Sequence, residues 1–87
     1  MGKCKKYLEL REKYNEAVQN QAGFQYEIDS YRRLLTEVNP SEDGDRYSDL
    51  LEALYRAEER YTYWTMRAAE MQYKMYKIEQ HYHWNEQ

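Results

Sequence analysis

The chain has 87 residues, of which 33% are charged and 41% hydrophobic, with a formal net charge of −3 and a single cysteine, Cys4. That length holds one domain at most, and one cysteine excludes an internal disulfide. No segment approaches the roughly 18 consecutive apolar residues of a membrane span, and the charge is too mild to name a partner by itself.

The N-terminal stretch MGKCKKYLELREK contains no apolar run, so no signal peptide is expected. Lys6 stands where an N-myristoylation pattern wants Ser or Thr. A reducing cytoplasm is the expected compartment for a chain of this cysteine usage.

From Tyr7 onward a heptad repeat sets in. With position a at Tyr7, the a and d sites are Tyr7, Leu10, Tyr14, Ala17, Gln21, Phe24, Ile28, Tyr31, Leu35 and Val38; only Gln21 is polar. This predicts a first helix over about 4–38. The segment Asn39-Pro40-Ser41-Glu42-Asp43-Gly44-Asp45 then breaks the pattern. Pro40 fits only a first helical turn, and it pushes Asn39 out of helical geometry. Asp45 is a good N-cap for a second helix, with Asp43 or Ser41 as alternatives.

The second helix is predicted over about 45–82. With a at Tyr47, its a and d sites are Tyr47, Leu50, Leu54, Ala57, Tyr61, Trp64, Ala68, Met71, Met75, Ile78 and Tyr82, all apolar or aromatic. A 3.5-residue repeat held this long means left-handed supercoiled helices. A loop as short as 39–45 makes them antiparallel neighbours. The expected fold is therefore all-α: one antiparallel two-helix hairpin domain over 1–87, resembling a coiled coil and able to assemble into a bundle. Folding about the loop pairs residues whose numbers sum to about 85, as a faces d in an antiparallel seam. Leu10 then meets Met75, Tyr14 meets Met71, Ala17 meets Ala68 and Ile28 meets Ala57. Gln21 falls opposite Trp64, whose indole N–H needs an acceptor.

The second helix carries more rings than one seam requires. Tyr55, Thr62, Ala69 and Tyr76 recur at position b, Met66 and Tyr73 at f, and Tyr63 and Trp84 at c. These positions point away from the first helix, where charge is the usual occupant. Tyr55, Tyr63, Met66, Tyr73, Tyr76 and Trp84 are the candidate partner-binding residues, because Tyr, Trp and Met are enriched in interface cores. The first helix has a smaller extra set in Leu8, Val18, Ala22 and Leu34. A homodimer or larger bundle is the other occupant such a stripe suits, since small helical chains gain stability by oligomerising.

Charge is unevenly placed. Residues 37 to 52 hold six acids against Arg46 alone, a net of −5, so the remainder sums to +2. Glu42, Asp43, Asp45 and Asp49 thus form an acidic tip, read either as a solvated loop with helix-start acids or as a prong for a basic groove. A basic line also runs along position g: Arg60, Arg67, Lys74 and His81, with Lys6 and Lys13 on the same side of the first helix. Glu27 is placed to answer Arg60. With a pI near 5.4, direct nucleic-acid binding is not expected.

No signature of chemistry appears. The three glycines are isolated, and no GxSxG, HExxH or CxxC motif occurs. Cys4 and His81 would meet at the open end, but His81 and His83 lie on opposite sides of a helix, so no metal or other cofactor is expected. A two-helix rod has almost no concave interior, so no catalytic residue and no enzyme activity are expected. The expected function is a non-catalytic protein-binding hairpin, a small inhibitor or adaptor that blocks a partner surface. The alternative is a homo-oligomeric assembly protein, and a third reading is a nucleic-acid accessory protein. In size and general style the chain is similar to small phage-encoded inhibitors of host nucleic-acid enzymes, of the anti-CRISPR sort. The expected partner is another protein, or a second copy of the chain, and no membrane is expected because no apolar segment is long enough to span one.

Overall fold

The computed structural model describes residues 2–86, with side-chain surroundings for 4–81, and consists of two helices, α1 (Gly2–Glu37) and α2 (Gly44–Glu86). They fold back on one another into a rod of 68 × 18 × 14 Å. The length follows from the helices themselves, since about 40 residues at 1.5 Å each span roughly 60 Å.

The turn is built by Asn39. Its side-chain Oδ1 accepts from the Ser41 amide at 2.8 Å, and its carbonyl accepts from the Asp43 amide at 2.9 Å and the Glu42 amide at 3.2 Å. The short amide side chain thereby supplies an acceptor that the ended helix no longer provides. α2 begins one step earlier than the sequence suggests. The Asp43 carbonyl accepts from the Tyr47 amide at 3.1 Å, which gives Asp43 the N-cap position. Asp45 sits inside the first turn, where its charge still meets the positive end of the helix dipole.

The predicted seam is the observed one. The eight buried apolar side chains, Leu10, Ala17, Ile28, Leu54, Ala57, Ala68, Met71 and Met75, all occupy a or d positions. Every other a or d side chain among the described residues is half-buried. Two clusters form. Near the open end, Leu10, Met71 and Met75 gather Tyr7, Tyr14 and Ile78 around them. Near the turn, Ile28, Leu54 and Ala57 gather Tyr31, Leu35 and Tyr61. Both match the pairing in which residue numbers sum to about 85, as an antiparallel seam requires. Between them lies the small Ala17/Ala68 layer, flanked by half-buried Gln21, Phe24 and Trp64.

Gln21 departs from expectation. Its amide donates to the Tyr61 hydroxyl at 3.4 Å rather than meeting the Trp64 indole. Trp64 instead packs edge-on against its neighbour Tyr63, with ring centres 5.0 Å apart and planes at 84°. The reason is reach. A half-buried tyrosine on the adjoining turn brings a hydroxyl to the edge of the seam, where the flexible Gln21 amide also sits.

At the open end the Tyr7 hydroxyl donates to Glu79 Oε1 at 2.6 Å, linking α1 to α2. This bond is the main reason that the Tyr7 pKa is raised above the usual tyrosine value, with smaller contributions from desolvation and the Glu79 charge. A raised folded-state pKa gives a contribution that is complete below about pH 10 and is lost as pH climbs through the higher folded value. The open end is therefore expected to loosen above pH 10, with Tyr7→Phe removing that part of the pH dependence; amide exchange in the first turns of α1 measures it.

Gly23 lies mid-helix in α1 with nothing within 4 Å of the position a Cβ would occupy. Its cost is that of unrestrained backbone alone, so Gly23→Ala is expected to stabilise the hairpin by about 0.5–1 kcal/mol in denaturant unfolding.

Candidate interaction surface

Positions b and f of α2 recur at alternating steps of four and three residues: Tyr55, Glu59, Thr62, Met66, Ala69, Tyr73 and Tyr76. That is a second 3.5-residue repeat on the same helix. At 100° per residue its midline lies about 150° around α2 from the seam that meets α1. α1 cannot reach it. Five of the residues singled out from the sequence, Tyr55, Tyr63, Met66, Tyr73 and Tyr76, are accordingly 52–67% exposed. The sixth, Trp84, has a side chain outside the described residues.

The surface is not flat. One shallow depression is lined by Tyr55, Glu58, Glu59 and Thr62. A second, toward the open end, is lined by Ala69, Gln72, Tyr73 and Tyr76 and reaches inward to Tyr14 and Met75 of the inner seam. Exposed Tyr55, Met66, Tyr73 and Tyr76 thus border the smaller Thr62 and Ala69 along one face. Lys77 lies 5.6 Å over the Tyr73 ring, covering its outer side with a cation.

On α1 the extra apolar set is looser. Leu8 and Val18 are exposed, Ala22 is exposed, and Leu34 is half-buried. Tyr26, which the sequence pattern did not single out, is the most exposed ring among the described residues at 73%. Its f position carries the signal, but no second ring stands one heptad away on α1.

The basic line is partly neutralised from within α2. Arg67 and Lys74 both pair with Glu70, at 3.4 and 3.1 Å. The Lys74 hydrogen bond and charge hold the Glu70 carboxyl below its usual range. Arg60, expected to answer Glu27, lies instead with its guanidinium 5.8 Å from the centre of the Phe24 ring. Phe24 is half-buried on the seam beside Arg60, so the ring face is the nearer partner.

Glu42, Asp43, Asp45 and Asp49 are all exposed at the turn end of the rod. Glu42 and Asp43 border a small hollow with Glu37, Asn39 and Arg46. Glu52, the last acid of that end, is paired with Arg56 at 2.6 Å.

Among the described residues, no group of three or more His, Cys, Asp and Glu side chains converges as a metal site would require. No helix among them is long and apolar enough to cross a membrane. Comparison with known proteins finds no matching family model, no matching curated protein and no matching solved structure.

Proposed function

We propose that the chain is a non-catalytic protein-binding hairpin, a small inhibitor or adaptor that acts by covering a surface of another protein. One observation carries this reading. α2 presents a second 3.5-residue repeat from Tyr55 to Tyr76, with Tyr or Met at four of its seven positions, on the side away from α1. Aromatic and thioether side chains remove large apolar areas from water with few rotamers to fix, which is why they anchor interfaces. A row of four such residues spaced at helical intervals exceeds what scattered surface rings amount to.

The acidic tip has a separate part in this proposal. Clustered charge accelerates encounter with an oppositely charged surface, and salt screens it over about 8–10 Å near physiological ionic strength. The seam sets how long a complex lasts; the tip sets how fast it forms. A basic groove of a nucleic-acid enzyme is the kind of target this charge suits, in keeping with a phage-type inhibitor.

A homo-oligomeric assembly role is the second reading. It is favoured by the thin core, in which three of the eight buried side chains are alanine.

Met66→Glu combined with Tyr73→Glu places charge where an interface would exclude water. Affinity capture from the native cell is expected to lose its specific partners with this variant, while helix content and melting temperature stay unchanged. Retention of the same partners overturns the assignment of the contact face. Reversal of Glu42, Asp43 and Asp45 to lysine is expected to slow association with a captured partner and flatten its salt dependence. Equal rates and equal salt slopes reduce the tip to a solvated turn.

A further inference from the structure

We propose that the outer seam of α2 is the contact between two copies of this chain, packed antiparallel about a two-fold axis level with Trp64. The proposal rests on the second of the two readings above, the homo-oligomeric one, and gives the seam a second copy in place of a foreign protein. Three independent features of the chain point to a second copy.

The first is area. A compact monomer of 10.8 kDa exposes about 5,500 Å² by the usual mass scaling. This chain exposes 6898 Å², an excess of roughly 1,400 Å² over that scaling. A standard interface removes about 800 Å² from each partner. An excess of that size, spread along a rod, leaves room for one such contact per chain.

The second is direction. Two copies packed in parallel would set both acidic tips side by side, each net −5 over residues 37–52, and Glu59 would face its own counterpart in the seam. Packed antiparallel, the tip of one copy lies level with the N-terminal turns of the other. Those turns carry exposed Lys5, Lys6 and Lys13. Those lysines stand on α1, across the partner subunit's α2 from the seam, so the chief electrostatic gain is that the two acidic tips lie at opposite ends of the dimer.

The third is register. In an antiparallel pair the two classes of seam position face one another, as a faces d between α1 and α2. With the axis level with Trp64, Thr62 faces Met66 of the partner subunit and Tyr55 faces Tyr73 of the partner subunit. The edges then pair by charge. Arg56 meets Glu70 of the partner subunit, and Asp49 meets Lys77 of the partner subunit. Sliding one heptad toward the open end sets Arg56 against Lys77 of the partner subunit and Glu58 against Glu79 of the partner subunit. Sliding the other way sets Asp49 against Glu70 of the partner subunit. Only the central register avoids like charges along both edges. Glu59 and Glu52, the charged f positions, then stand opposite Ala69 of the partner subunit and Tyr76 of the partner subunit. A polar group there fixes register while weakening the contact, as buried polar seam residues do elsewhere.

The test is sedimentation over a micromolar-to-millimolar series, joined to cross-linking in a Cys4→Ser background. Wild type is expected to dimerise with concentration, and Glu59→Leu to tighten the dimer by about tenfold. Arg56→Glu is expected to weaken it, and adding Glu70→Arg to the same chain to restore it. A mixture of Tyr55→Cys and Tyr73→Cys chains is expected to cross-link through a short bis-thiol reagent, while either variant alone does not. A mass that stays monomeric in both wild type and Glu59→Leu overturns the proposal, as does efficient self-cross-linking of Tyr55→Cys, which is the parallel outcome. Those results leave the seam as a contact for a foreign protein, a reading that falls only if the Met66→Glu, Tyr73→Glu chain keeps its partners.

Discussion

Everything in this molecule depends on a single line of contact. Two helices share one seam, and only side chains on that line can leave water. Burial is confined to a and d positions, and even there the large rings of Tyr7, Tyr14, Tyr31, Tyr61 and Trp64 remain half-exposed at the edges. Hydrophobic stabilisation scales with the apolar area removed from water. A hairpin of this length therefore needs nearly every heptad to contribute. It explains the uninterrupted repeat, the placement of Met where packing is irregular, and the tolerance of tyrosine, whose hydroxyl stays wet while its ring covers the seam.

The same constraint gives meaning to α2's second repeat. A helix that packs on one neighbour needs one stripe, and the far side is ordinarily charged. α2 departs from that pattern over the span from Tyr55 to Tyr76, whereas α1 carries mostly polar residues on its outer face apart from isolated side chains such as Leu8 and Tyr26. The asymmetry confines the exposed apolar row to one helix. The ion pairs follow the same division: Arg56 with Glu52, and Arg67 and Lys74 with Glu70, are all within α2. These pairs are exposed and individually worth little.

Electrostatics then acts along the rod's axis. The turn gathers acids partly because a helix start favours them, and Asp43 and Asp45 both serve that local purpose. Their consequence is nevertheless global, because a rigid rod of 68 Å separates the acidic turn from the lysine-bearing end. An object with that charge separation distinguishes head-to-tail from head-to-head approach before any contact forms.

The repeat length, the break at Asn39–Asp45 and the pairing of Leu10 with Met75 were all legible in the sequence, because heptad spacing and loop length leave one antiparallel register that turns the a and d residues of both helices inward. The outer seam was legible too, since b and f positions are fixed in direction once a and d are assigned. What the sequence could not decide lay at the ends of long side chains. Gln21 turned to Tyr61 instead of Trp64, Arg60 to Phe24 instead of Glu27, and Glu70 drew in both Arg67 and Lys74. Periodicity places a Cβ; several rotatable bonds beyond it, competing partners lie within reach of one another, and only the packed structure selects among them. The cap shifted from Asp45 to Asp43 for a related reason, because the carbonyl that closes the first turn is chosen by the backbone path through Asn39 and not by which acid is the better cap.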